Sequence, residues 1–172
     1  VFTAIAILYL GILDRDVPRN YVLRYPRLYR RGPTKKFLNC GVFWAWQADG
    51  LWATLLLLGV PAVVLEPAMG YSIRFWDFSV FVFTLLVAVV NLKVSLEVTR
   101  FQAVYEVAWW IFGLPLWLGY ATYLSFYSDE TTPVANAMPN LLSNRVTWLV
   151  AALILALYLC RSLGWKVLRR EF

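Results

Sequence analysis

The stretch FSVFVFTLLVAVVNLKVSLE, Phe78 to Glu97, decides what kind of chain this is. Up to Val90 only Ser79 and Thr84 are polar. Val and Phe favour strands, but the run is too long for an ordinary strand and does not alternate. A strand of a membrane barrel would alternate polar and apolar side chains. Wound as a helix, Phe78–Leu96 reaches about 28 Å, close to the roughly 30 Å of a bilayer core. The polar residues Asn91, Lys93 and Glu97 gather at its end. The stretch reads as one membrane-spanning helix that leaves the bilayer at its C-terminal turns.

Four more apolar runs surround it. Val1–Leu13 would span only about 20 Å, so it is expected to be the end of a helix that starts earlier in a longer protein. Phe43–Val60 is expected to stop near Pro61. Val104–Phe126 carries Pro115 near its middle, which predicts a kink. Val146–Trp165 is the last. Composition agrees: 61% of the 172 residues are hydrophobic and 15% charged, against about 45–50% and 25% in soluble domains. Mean hydropathy is +0.63. The expected fold class is an all-α polytopic membrane bundle of one truncated and four complete helices, because helices satisfy their backbone groups within lipid.

The charges set an orientation. All of the 16 Lys and Arg except Arg74 and Arg145 fall in three regions that alternate onto one side. These are the loop 14–39, the exit at Lys93 and Arg100, and the C-terminal end from Arg161. The excess of cations predicts that this side, with the C-terminus, is cytoplasmic. Cys40 and Cys160 then lie near a reducing compartment and no disulfide is expected. The densest cationic stretch, YPRLYRRG at Tyr25–Gly32, follows DRDV at Asp14–Val17. It can serve to set topology alone. Tyr21, Tyr25 and Tyr29, four apart and set among Pro18, Pro26 and Pro33, also suit a segment pinned to the membrane surface against anionic headgroups.

Few residues could carry chemistry. There is no His, which removes the commonest general base and metal ligand. No phosphate-cradling loop, metal cluster, nucleophile–base pair or nucleic-acid-binding pattern is visible, so no catalytic, cofactor or metal site and no nucleic-acid partner is expected within these residues. Asp49, in WAWQADGLW, lies about two turns inside the second run, where a carboxylate must be solvated from the interface or paired. Lys93 and Glu97, four apart, share a helix face and could anchor that helix end, and Lys93 can snorkel outward. Glu106 and Arg161 read as further anchors. Asp14 and Asp16, two apart, diverge on a helix and suit termination rather than acid–base work.

In order and spacing these motifs resemble the C-terminal membrane region of the type IV P-type ATPases, the phospholipid flippases. VFT at Val1–Thr3 with LGILDRDV at Leu10–Val17 looks like the end of helix six and its exit. YPRLYRRG is similar to the family's Y-P-x-L-Y-x-x-G. Phe37, Asn39, Phe43, Trp46 and Gly50 fit the start of helix seven, Val90–Glu97 the V-N-L-K-V-A-L-E end of helix eight, and WKVLRREF at Trp165–Phe172 the exit of helix ten. The resemblance divides the chain into 1–13, end of helix six; 14–39, cytoplasmic loop; 40–61, helix seven; 76–96, helix eight; 104–126, helix nine; 146–165, helix ten; and 166–172, cytoplasmic end. Two departures stand out: Ala6 where the family usually has Pro, and Arg15 where it usually has Gln.

The resemblance implies a parent enzyme, in the plasma membrane or Golgi and endosomal membranes, that uses ATP and Mg²⁺ through an aspartyl-phosphate. It would move phospholipid from the outer to the cytoplasmic leaflet. The catalytic domains would precede Val1, leaving this segment inactive alone, a helical scaffold with a docking surface for a two-span accessory β-subunit. Thr3, Asp14, Asp16, Asp49, Asn91, Lys93 and Glu97 are its candidate structural or path residues. The alternative is a stand-alone small membrane protein, such as a channel, scramblase subunit or assembly factor, without ATPase activity.

Overall fold

The structure, a computed structural model, describes residues 39–69, 73–97, 103–127 and 136–171, with the separate positions 4, 8, 11, 21, 24 and 25. Thr3, Asp14, Asp16, Arg15, Ala6 and most of the basic loop lie outside the described residues. Among the described residues the regular structure is helix, without strand.

The first helix, α1, covers 40–69 in three parts: Cys40–Thr54, a widened π-type turn at Leu55–Gly59, and Val60–Met69. Asn39 starts it in extended conformation, its Oδ1 accepting from the Val42 N–H at 2.8 Å, an ordinary N-cap. The expected stop near Pro61 does not occur. Proline lacks an N–H and its ring clashes with the carbonyl four residues back, here Leu57. The widened turn immediately before Pro61 makes room for the ring, and the helix continues.

Helix α2 is Phe75–Glu97. Arg74 fixes its start, donating to both carboxylate oxygens of Asp77 at 2.9 and 3.0 Å. Asp77 is buried in the first turn, where the helix dipole favours negative charge. Helix α3 is Ala103–Tyr127 and holds helical conformation through Pro115. A short helix absent from the sequence-based expectation, α4, Ala137–Ser143, follows Asn136 in left-handed conformation (φ 60°), which Asn tolerates. The end of α3 ties it down: the Asn136 N–H donates to the Ser125 carbonyl (3.3 Å) and the Met138 N–H to Ser125 Oγ (3.2 Å). Helix α5 is Arg145–Glu171.

Among the described residues, three helices, over Cys40–Pro67, Phe75–Leu96 and Arg145–Val167, are long and apolar enough to cross a membrane. The 25 residues of α3 extend about 37 Å.

The core follows helical spacing. Phe81, Leu85 and Val89 form one stripe of α2, and Val150, Ile154 and Tyr158 one stripe of α5. Four-residue steps put each set on one face. Leu56, Leu57 and Leu65 of α1 and Leu141 of α4 complete the cluster. Helix α3 joins through Trp117, whose Nε1 donates to Thr84 Oγ1 at 2.9 Å and whose ring lies 4.5 Å from that of Phe83. The outside is as apolar as the inside. Phe43, Leu51, Leu55, Leu58 and Val63 of α1 and Leu149, Leu153 and Leu157 of α5 are exposed. So large an apolar exterior fits a membrane-embedded bundle. Trp44, Trp46 and Trp165 ring one end of the bundle, and Trp76, Trp148 and Tyr127 the other, the pattern of interfacial belts.

Candidate functional site

At the end of the bundle where α1 starts and α2 and α5 finish, three helices bring charge together. Asp49 of α1 receives Lys93 Nζ of α2 on Oδ2 and Arg161 Nη1 of α5 on Oδ1. Each carboxylate oxygen thus serves a different helix. Both cations also rest on tryptophans of α1. Lys93 Nζ lies 4.5 Å from the Trp46 ring centre and Arg161 Cζ 5.7 Å from that of Trp52, within cation–π range. One turn beyond Arg161, Lys166 Nζ donates to the Leu96 carbonyl. That carbonyl belongs to the last turn of α2, where carbonyls lack intrahelical donors and the dipole favours a cation.

Between these groups lies a cavity of about 230 Å³, lined by Asp49, Lys93, Arg161, Ser162, Trp165 and Lys166 among others. Among the described side chains one carboxylate, Asp49, faces the cations Lys93, Arg161 and Lys166. The chemistry of the cluster is electrostatic. Asp49 is committed to two cations and cannot serve as a free base. Among the described residues no group of three His, Cys, Asp or Glu could hold a metal.

The cluster unites two of the sequence-based candidates, Asp49 and Lys93, and adds Arg161. Lys93 has a partner that its four-residue spacing from Glu97 did not identify, on another helix. Glu97 ends α2, but its side chain, like that of Glu106, lies outside the description. Asn91 is not in the cluster. It is 1% exposed at the α2–α3 contact, and neither amide atom has a hydrogen-bond partner among the described residues. A Cβ on Gly113 of α3 would come within 2.5 Å of Asn91 Nδ2. Thr3, Asp14 and Asp16 lie outside the described residues. Sequence reasoning missed Arg161 as a ligand of Asp49 and missed the Arg74–Asp77 clasp. Arg161 had a signal: the Asp49 carboxylate needs a cation at equal depth, and α5 offers one.

The family profile described as "Phospholipid-translocating P-type ATPase C-terminal" matches residues 1–172. Among curated proteins the chain is similar to "Phospholipid-transporting ATPase ID" of mouse, at 26% identity over 98% of this chain and 15% of the relative. It is similar to a phospholipid-transporting ATPase of Schizosaccharomyces pombe, at 23% over 100% of this chain and 14% of the relative. "Phospholipid-transporting ATPase 6" of Arabidopsis thaliana matches at 25% over 64% of this chain and 9% of the relative. The chain therefore spans about 9–15% of the length of these curated relatives.

Proposed function

Because the chain belongs to the phospholipid-translocating P-type ATPase C-terminal family, we propose that it is the closing membrane segment of an enzyme that uses ATP to move phospholipid from the outer to the cytoplasmic leaflet. The whole-chain family match carries this reading. ATP and Mg²⁺ belong to catalytic domains elsewhere in the parent protein, and residues 1–172 do not hydrolyse ATP alone. The end holding Asp49, Lys93 and Arg161 is cytoplasmic, in keeping with the cation excess there.

Within the parent, these helices act as a fixed frame. The Asp49–Lys93–Arg161 brace supports that role, because all three charges are spent on joining α1, α2 and α5. The upstream helices carry the lipid and move against this frame, and a two-span β-subunit docks on its outer apolar face. Thr3 alone among the candidate residues belongs to an upstream, path-lining helix.

The test is transport by the full-length protein with its β-subunit in proteoliposomes. Labelled phospholipid should pass to the ATP-facing leaflet only when ATP and Mg²⁺ are supplied. Transport that is indifferent to ATP, or ATP hydrolysis by residues 1–172 alone, would overturn the proposal.

A further inference from the structure

The buried amide of Asn91 lies outside the brace. It sits on α2 against α3, 1% exposed, and neither Nδ2 nor Oδ1 has a hydrogen-bond partner among the described residues. Two unpaired amide atoms on one buried side chain are destabilising and rare in native proteins.

The amide is aimed at the α3 backbone. A Cβ on Gly113 would lie 2.5 Å from Asn91 Nδ2 and 3.3 Å from Oδ1. Nδ2 thus stands in the place that a side chain of residue 113 would take. A helical side chain lies over the turn before its own Cα, and a Ser or Thr there can bond back to the carbonyl four residues earlier. For position 113 that carbonyl belongs to Trp109. A carbonyl that accepts one backbone bond keeps a second lone pair. A donor and an acceptor therefore face each other across the contact without being joined.

The means of joining them lies two residues further on. Pro115 is inside α3. It has no N–H for the Ile111 carbonyl, and helices bend at such points. Beyond Pro115, α3 is held. Trp117 Nε1 donates to Thr84 Oγ1 at 2.9 Å and the Trp117 ring packs on Phe83. Ser125 receives the N–H groups of Asn136 and Met138. Before Pro115, Gly113 rests on Asn91. The brace joins α1, α2 and α5, and α3 is outside it. One half of α3 is anchored, the other lies on an unpaired amide, and the proline stands between them.

We propose that Pro115 is a hinge about which the first half of α3, residues 103–113, swings on the braced helices, and that Asn91 latches the swung position by donating from Nδ2 to the Trp109 carbonyl. A bend of about 20° acting over the roughly 18 Å from Pro115 to Ala103 moves the start of α3 by about 6 Å. The proposal rests on the described helices and not on the transport reaction, so either can fail without the other.

The experiment measures spin-label distances by pulsed electron paramagnetic resonance in the full-length protein in nanodiscs, in a background without other accessible cysteines. One pair, Tyr105→Cys with Leu163→Cys, reports the first half of α3 against the braced α5. A second pair, Tyr123→Cys with Leu149→Cys, reports the anchored half. The first pair should give two distances up to about 6 Å apart, and the second pair one. Asn91→Leu is apolar and of similar size. It should reduce the latched population about five- to tenfold, the effect of one buried hydrogen bond made in place of an unpaired amide. Pro115→Ala restores the backbone N–H and should leave one distance for the first pair, a test that does not depend on Asn91→Leu folding. A single distance for the first pair in the wild type, as a water fixed on Asn91 would give, would overturn the proposal. Two distances that persist unchanged in Asn91→Leu or in Pro115→Ala would overturn it as well.

Discussion

Replacing Asp49 by Ala should destabilise the packing of α1, α2 and α5 by about 2 kcal/mol. An exposed ion pair contributes about 0.2–1 kcal/mol, whereas removing one partner of a fully buried pair costs about 3–5. The Asp49 side chain is 23% exposed, those of Lys93 and Arg161 26% and 35%, which places the brace between these limits. Two stranded cations raise the loss. Snorkelling and the remaining contacts with Trp46 and Trp52 lower it. For a unit of this size, about 2 kcal/mol corresponds to roughly 4–8 °C. The assay is heat-dependent loss of monodisperse full-length protein in detergent, followed by fluorescence-detected size exclusion at one heating rate. The stronger test is a double-mutant cycle. Lys93→Met should cost about 1 kcal/mol in the wild type and nothing, or less than nothing, in Asp49→Ala, where it removes an uncompensated charge. Losses that simply add would show that Asp49 and Lys93 do not interact, and would refute the brace.

Gly113→Ala should cost about 1–3 kcal/mol by overpacking, because the new Cβ meets Asn91 Nδ2 at 2.5 Å. Asn91→Ala in the same chain should recover most of that loss in the same melting assay. Trp117→Phe should cost about 1 kcal/mol through the lost bond to Thr84, and Thr84→Val added to it should cost little more. Arg30→Cys and Asn136→Cys, each in a chain without other accessible cysteines, should react with an impermeant thiol reagent from opposite faces of sealed membranes. Reaction of both from outside would contradict the orientation.

The spanning helices were legible because lipid allows one solution: an unbroken apolar run of Phe78–Leu96 has to wind up its own backbone bonds. The end of α1 was not. The rule that Pro61 stops a helix assumes regular turns before it, and the widened turn at Leu55–Gly59 removes the clash on which the rule rests. Asp49 was recognisable as a carboxylate in need of a partner, but its partners stand 44 and 112 residues away. Local spacing could offer Lys93 only its neighbour Glu97. Which cation reaches which carboxylate depends on the depth and rotation of three packed helices, and that information is tertiary. Thr147, buried with its Oγ1 lacking a hydrogen-bond partner among the described residues, gave no local signal at all. A threonine in an apolar helix usually bonds back to its own backbone, as Thr54 and Thr122 do.

The central claim is that this segment frames the lipid path without touching the transported headgroup. The most direct measurement is uptake of phospholipids with different headgroups by the full-length enzyme carrying Lys93→Gln. The account predicts somewhat lower expression or thermal stability, and an unchanged ratio of rates among headgroups. A strong shift in that ratio at normal expression would place Lys93 in the lipid path and contradict the account.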